Sequence, residues 1–405
     1  MKDALKLVSI LGGYGIFGGR IAEALARDDR CRVRVVGRDA KVGGNLAARI
    51  GADFRVGVLD DRDSVRTAID GSFLVIHAAG PFQDADYRVA ELCLEIGAHY
   101  LDLADAREFV AGIGRLGEEA RRRGLLVASG VSSTPAITSA LIQSLSPEFS
   151  RIEEIHTALS PGNQNPRGAS TIAAVLSYLG RKIRVWQDGR WVDRPGWGDV
   201  RRLDFPPPVG ERRVHNCEVP DLELLPSIFD ARTVRFSAGL ELDLLNYLLS
   251  VCVRPCRWFG LDLRRHARFF LNASLMLFPF GTRNGALAIW VRGQDRAGLP
   301  IERRIAIVTD YDGPATPSSA AILLARKIVE SGPPRTGAFP CIGFLALDEI
   351  LSHLRPLGIW CARGDETGWF PPADERTASH FTPSNCTSKT SVAPGGITPP
   401  APRAP

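Results

Sequence analysis

The sequence has no apolar run of the roughly 18–20 residues that a membrane-crossing helix needs. The nearest candidates, 240–253 (LELDLLNYLLSVCV) and 269–280 (FFLNASLMLFPF), are shorter, and Arg254, Pro255, Arg257, Arg264 and Arg265 separate them. An integral membrane segment is therefore not expected. None of the eight cysteines forms a CxxC pair, and Cys252 and Cys256 have no neighbouring His or Cys to complete a metal site. No bound metal and no disulfide framework are expected. Excess charge is also missing. The net charge is +5 over 405 residues and the basic residues are dispersed, which gives no electrostatic argument for nucleic acid. No Gly-x-Ser-x-Gly elbow occurs, so a serine hydrolase is unsupported. The N-terminus runs straight into a strand pattern with no signal peptide, and a cytoplasmic location is the expectation.

What is present is a chain of ordinary globular composition, 45% hydrophobic and 23% charged. Its length calls for two or three units at a prior of about 150 residues each. Strand patterns at 5–11, 32–36, 54–59, 73–78, 99–103 and 125–129 alternate with helical patterns at 15–27, 41–50, 62–70, 84–96 and 107–123. Continuous apolar strands such as FLVIHA (73–78) and LLVAS (125–129) suit a parallel sheet covered on both faces. The pattern predicts a doubly wound α/β domain over residues 1–150.

After about residue 150 the pattern changes. Strands are expected at 152–160, 212–219, 232–241, 286–293 and 301–310, and helices at 169–180, 241–253, 264–277 and 318–331. Asp295, Gly298 and Pro300 predict a hairpin between the last two strands. Residues 151–313 thus read as an α+β domain on a mixed or antiparallel sheet, for substrate or dimerisation. Residues 372–405, rich in Pro, Ser and Thr, read as a disordered tail.

Between the first strand and its helix stands Gly13-Tyr14-Gly15-Ile16-Phe17-Gly18, a GxGxxG. The string alone is weak, but a preceding buried strand and a following helix are the context the dinucleotide fingerprint needs. Gly13 would permit the tight turn, Gly15 would let a pyrophosphate approach bare backbone, and Gly18 would let helix and strand pack closely. The helix N-terminus would face the phosphates. At the end of the second strand an acidic residue would bind the ribose of NAD(H). Here the chain reads Val36-Gly37-Arg38-Asp39. Arg38 as a fork for a 2′-phosphate favours NADP(H) over NAD(H); the alternative leaves Arg38 in solvent and gives the ribose to Asp39. Asp60 and Asp61 close the third strand, as adenine contacts or as a helix cap. Ala78-Ala79-Gly80-Pro81-Phe82 closes the fourth, where Ala79, Gly80 and Pro81 would let the cofactor lie against the backbone.

The glycine fingerprint, HAAGPFQDADYRVAELCLEIGAHYLDLAD (77–105) and SPGNQNPRGAST (160–171) resemble the saccharopine dehydrogenase-like NAD(P)-binding oxidoreductases. The resemblance covers most of 5–355. It implies a Rossmann domain, a second domain over the nicotinamide, and a C-terminal segment (314–360) that returns to the first domain. It also implies hydride transfer to the C=N or C=C bond of a small-molecule or lipid-like substrate. Two motifs depart from the family. Asp105-Ala106 stands where relatives often have Gly-Glu, and Gly130-Val131-Ser132-Ser133-Thr134-Pro135-Ala136-Ile137 lacks the acids of Gly-Phe-Asp-Ser-x-Pro-x-Asp. These losses keep open a silent NADP(H)-binding scaffold or sensor.

Hydride chemistry usually needs a proton donor. The candidates are Asp105, Asp102 and Tyr100. Each has a structural alternative: Asp105 as a helix N-cap, Asp102 as a loop holder and Tyr100 as packing. His77 and His99 lie nearby, and His77 sits in an apolar strand as a core residue would. Ser132, Ser133, Asn165 and Arg167 are the candidate substrate contacts, with Arg167 as a carboxylate or phosphate clamp. The runs 240–253 and 269–280 are expected to serve as core or dimer interface, with a greasy substrate channel or a membrane-surface contact as the alternative. A small-molecule substrate is the expected partner, and a homodimer is left open.

Overall fold

The apolar runs of the first 130 residues become strands β1 (Lys6–Leu11), β2 (Cys31–Gly37), β3 (Asp53–Val56), β4 (Leu74–His77), β5 (His99–Asp102) and β6 (Leu126–Ser129). The computed structural model describes residues 5–370; the tail expected at 372–405 lies outside them. Later strands are β7 (Arg151–Ser160), β8 (Lys182–Gln187), β9 (Arg190–Pro195), β10 (Arg201–Phe205), β11 (Gly210–Asn216), β12 (Thr233–Ala238), β13 (Gly285–Gln294), β14 (Pro300–Thr309), β15 (Gly337–Pro340), β16 (Trp360–Asp365) and β17 (Gly368–Trp369).

The first sheet is parallel, in the order β15-β6-β5-β4-β1-β2-β3. The chain winds outward from β1 through β2 to β3, then restarts beside β1 with β4 and winds the other way. Its central strands are apolar because helices cover both faces; every residue of β4, β5 and β6 is buried, while the edge strand β3 is mostly exposed. The restart leaves a crevice at the carboxyl ends of β1 and β4, the place where open α/β sheets bind ligands.

The second sheet is mixed, in the order β10-β11-β12-β7-β13-β14-β16-β17, with β8 joined to β12 and β9 to β8. The expected hairpin forms, pairing Gly285 with Thr309 through Gln294 with Pro300. The fold is thus α/β, a doubly wound parallel sheet plus a second mixed-sheet part. The helix Ala315–Ser331 packs on the helix α1 (Ile16–Leu25), and β15 adds to the first sheet. From Trp360 the chain returns to the second sheet.

Several expectations need correcting. The helix expected over 107–123 breaks into Arg107–Ala111, a 3-10 turn Gly112–Leu116 and Gly117–Arg122, because Gly112, Gly114 and Gly117 weaken its middle. The β8–β9 hairpin was not foreseen, although Asp188-Gly189 at its turn, φ 52° and 75°, is a strong hairpin signal. The apolar run at 240–253 only edges the core, through Leu240, Leu249, Cys252 and Val253. In the helix Asp243–Phe259 only Asn246 and Cys256 are buried, and the helix Ala267–Met276 buries only Ala267 and Ser274.

Candidate functional site: a dinucleotide crevice

The glycine loop joins β1 to α1. Its left-handed residue is Gly12, at φ +74°, where a Cβ would lie 2.9 Å from the Cβ of Ala79. The tight turn therefore belongs to Gly12, not to Gly13 as the fingerprint alone suggested. Gly13 is needed for a different reason: its Cβ would come 2.7 Å from the carbonyl oxygen of Ile10. At Gly18 a Cβ would stand 2.3 Å from the Gly12 oxygen, so α1 packs onto the loop only through a glycine. Gly15 is different. It is exposed, and a Cβ there would meet only the Gly12 oxygen, at 3.1 Å. It caps α1 without a side-chain hydrogen bond, and the first turn of α1 carries no acid. Bare backbone and an uncapped helix start are what a diphosphate requires. Ile16 and Phe17, both half-buried, begin the helix.

At the end of β2 the Tyr14 ring lies over Gly37, where a Cβ would overlap it, and the Asp39 N–H donates to the Tyr14 hydroxyl at 2.9 Å. The Asp39 carboxylate caps the helix α2 (Ala40–Ile50), accepting from the N–H groups of Lys41 and Val42. Arg38 between them is exposed and has no ion-pair partner among the described residues. Asp61 likewise caps the helix Arg62–Ile69, which leaves the exposed Asp60 on the cleft wall.

The cleft beyond the loop has a volume of about 570 Å³ and is lined by Asp60, His77, Ala79, Pro81, Phe82 and, from the second part, Ala173 and Arg264 among others. The second part reaches it through the start of the helix Ala169–Tyr178. The Ser170 hydroxyl donates to the Gly80 carbonyl at 3.0 Å. A Cβ on Gly168 would touch Ile16.

The three proton-donor candidates part company here. Tyr100 is fully buried, and its phenol meets His77 Nδ1 at 3.1 Å; it has no face on the cleft. Asp102 is fully buried too. Its Oδ1 accepts from Ala104 N–H, Gly130 N–H and the Ser129 hydroxyl, tying the ends of β5 and β6 together. Burial pushes its carboxyl up to about 6 despite those bonds. Neither can meet a substrate directly. Asp105 caps no helix; Ala106 stands at that position. Its side chain is exposed and is held by Gln83, which lines the cleft. Desolvation raises its carboxyl above the usual carboxylate range, against a 3.0 Å bond from the Gln83 amide.

Sequence reasoning missed the residues that face Asp105 from the second part, since nothing in the chain order marks them. The Tyr178 hydroxyl and the Cys217 thiol are 2.9 Å apart. Burial, with the charges of Asp105 and Glu218, raises both, the thiol to about 12, so Cys217 stays a neutral thiol near neutral pH. Arg107, also missed, is buried and grips Glu223 at 2.5 Å, joining the two sheets' surroundings. His77 is neutral, its value depressed to about 4 by burial.

Of the substrate candidates, Ser132 and Ser133 are half-buried beside the turn after β6. The amide of Asn165 is engaged at both ends, donating to the Arg283 carbonyl and accepting from the Gly313 N–H. It ties the loop at both ends. Arg167 donates to Asn163 Oδ1 and to the Ser274 carbonyl; with no carboxylate partner among the described residues, it too holds the loop. No group of three His, Cys, Asp or Glu residues suited to a metal ion occurs among the described residues.

Residues 8–126 match the family model of the saccharopine dehydrogenase NADP binding domain. Saccharopine dehydrogenase (L-Glu forming) from Saccharomyces cerevisiae has a similar structure, with a TM-score of 0.61 at 14% identity over 89% of this chain and 99% of its own. Homospermidine synthase from Legionella pneumophila, solved in complex with NAD, gives a TM-score of 0.57 at 11% identity over 97% and 95%. No curated protein matches the sequence. The fold and the glycine-loop crevice define an NAD(P)-dependent oxidoreductase. Within that class, residues 8–126 are similar to the NADP-binding domain of the saccharopine dehydrogenases.

Proposed function

We propose that the protein is an NADP(H)-dependent enzyme that reduces a C=N or C=C bond of a small-molecule or lipid-like substrate, or runs the reverse reaction. The observation that carries this reading is the pairing of bare Gly15 at an uncapped helix start with Arg38, exposed and without an ion-pair partner among the described residues. Asp39, the residue that would otherwise take the ribose, is committed to capping α2. In this reading Gly15 offers bare backbone to the diphosphate on a loop that Gly13 and Gly18 allow to pack, Arg38 takes the 2′-phosphate and Asp60 the adenine side. Ala79, Gly80 and Pro81 form the wall beneath the nicotinamide. When bound, the nicotinamide supplies or accepts the hydride.

The chain's own part is to orient, to exclude water and to move one proton. Asp105 is the acid in the reductive direction. Desolvation favours its protonated form, and the amide of Gln83, a residue of the cleft wall, fixes Oδ1. Ser132 and Ser133 offer hydroxyls to the substrate from the turn after β6. A second reading, a nucleotide-binding scaffold without turnover, is favoured by that turn's lack of any carboxylate.

The test is a fluorescence titration of the full chain with NADPH and NADH, followed by single-turnover oxidation with panels of imines and enoyl compounds. Tight NADPH binding with turnover on either panel is the expected result. Binding without turnover on any member would support the scaffold, and no binding of either coenzyme would end both readings.

A further inference from the structure

The helix Asp243–Phe259 presents an apolar stripe to solvent. Leu244, Tyr247, Leu248, Val251 and Trp258 recur at helical spacing and all are exposed. The stripe continues past the helix. Trp258, Phe259 and Met276 are 73%, 75% and 80% exposed, and Phe269 and Phe280 are also exposed. So many large apolar side chains left exposed on two neighbouring stretches of chain mark an interaction surface. No helix among the described residues is long and apolar enough to cross a membrane, so the face does not belong to a span.

Charge decides what covers it. Arg254, Arg257, Arg265 and Arg268 lie on the same two helices and their connection, all exposed, and none pairs with a carboxylate among the described residues. The nearby acids are occupied: Asp262 binds Arg264, and Asp243 lies against Arg213. The face is therefore aromatic and aliphatic with a net positive fringe. A two-fold dimer through this face would bring together two copies of the same positively fringed patch, since an isologous contact opposes identical patches. An anionic lipid surface matches both features at once. Aromatic and aliphatic side chains enter the headgroup boundary while arginines meet lipid phosphates.

We infer that the helices Asp243–Phe259 and Ala267–Met276 dock the protein on the surface of an anionic bilayer. The chain between them, including Asp262, Arg264 and Arg265, lines the cofactor cleft. Arg264 also pairs with Asp84, two residues past Phe82 in the loop after β4. Docking therefore brings the cleft mouth next to the lipid. The inference does not depend on turnover or on which coenzyme binds.

The test is sedimentation of the full chain with vesicles of phosphatidylcholine alone and of phosphatidylcholine with phosphatidylglycerol, at low and high salt. Binding is expected on the anionic vesicles and should weaken with salt. A Trp258→Ser/Phe259→Ser double variant should lose roughly tenfold or more in partitioning. An Arg254→Glu/Arg257→Glu variant should lose roughly 25-fold, about fivefold for each arginine. Unchanged thermal melts establish that both variants fold. The inference is overturned if the chain ignores anionic vesicles, if it binds equally well with either pair replaced, or if it is a dimer that these substitutions split and that does not bind lipid.

Discussion

Replacing Arg38 with alanine separates the 2′-phosphate from the rest of the cofactor. The side chain is exposed at the end of β2 and has no ion-pair partner among the described residues, so its removal breaks no internal contact of that kind. The neighbouring cap of α2 belongs to Asp39 and remains. Stability should stay within about 0.5 kcal/mol, as for most exposed positions. The loss in binding is set by charge-assisted hydrogen bonds, each worth about 1.5–3 kcal/mol. That converts to a roughly 10- to 150-fold weaker NADPH complex, with solvent exposure favouring the lower end. NADH has no 2′-phosphate and should lose less than about twofold by the same arithmetic. Arg38→Lys keeps the charge without the planar fork and should fall between. The assay is coenzyme fluorescence titration at fixed ionic strength. Equal losses for the two coenzymes would refute the assignment, and so would an NADH preference in the unaltered chain.

Other expectations follow from the same geometry. Gly15→Ala adds a methyl that meets only the Gly12 oxygen; the protein should melt normally but bind NADPH at least about tenfold more weakly. Gly12→Ala, at φ +74° and against Ala79, should instead destabilise the fold by about 2 kcal/mol or more, measured by urea unfolding. If Asp105 is the proton donor, reductive turnover should fall as pH rises through its raised value, and Asp105→Asn should flatten that limb while leaving coenzyme binding intact. Asp221 is fully buried with neither oxygen paired among the described residues, and burial pushes it up to about 7. Its folded value exceeds its unfolded one, so the penalty appears as pH rises from about 4 to about 7 and is complete above that. Asp221→Asn should therefore stabilise the protein at pH 8, by up to about 4 kcal/mol, and have little effect at pH 4, as melting curves at the two pH values would show. The buried His77, His99 and His215 sit near 4 and His156 near 3. Their depressed values leave stability intact above about 6.5 and drain it as pH falls towards 4, which acid titration of the melting midpoint would detect.

The first sheet was legible because its central strands are buried on both faces and read as continuous apolar runs between helices. The glycine loop was legible because a diphosphate needs glycine in a fixed setting. The role of each glycine was not. Gly12 carries the left-handed turn, with Ala79 of the loop after β4 pressed against it, and a cluster of five glycines at 12–19 does not show which one that is. β15, four residues ending in Pro340, has no pattern of its own and exists as a strand because β6 offers an edge. Asp102 and Tyr100 looked like Asp105 in sequence; only burial separates them. Tyr178, Cys217 and Glu218 lie far from Asp105 along the chain, and no spacing rule connects them. The face at 243–280 was read as core or dimer interface, and composition could not separate the two because it records hydrophobicity, not which side meets water.

The path of the polypeptide between its two sheets limits how this enzyme can be divided. After β6 the chain enters the second sheet, after β14 it comes back to place β15, and after β15 it leaves again for β16. A gene fragment ending near residue 150 would lack β15 and leave the β6 edge open to other chains. The partner fragment would carry an orphan strand with no sheet to join. Limited proteolysis should accordingly give nicked but associated pieces, not a liberated coenzyme-binding half.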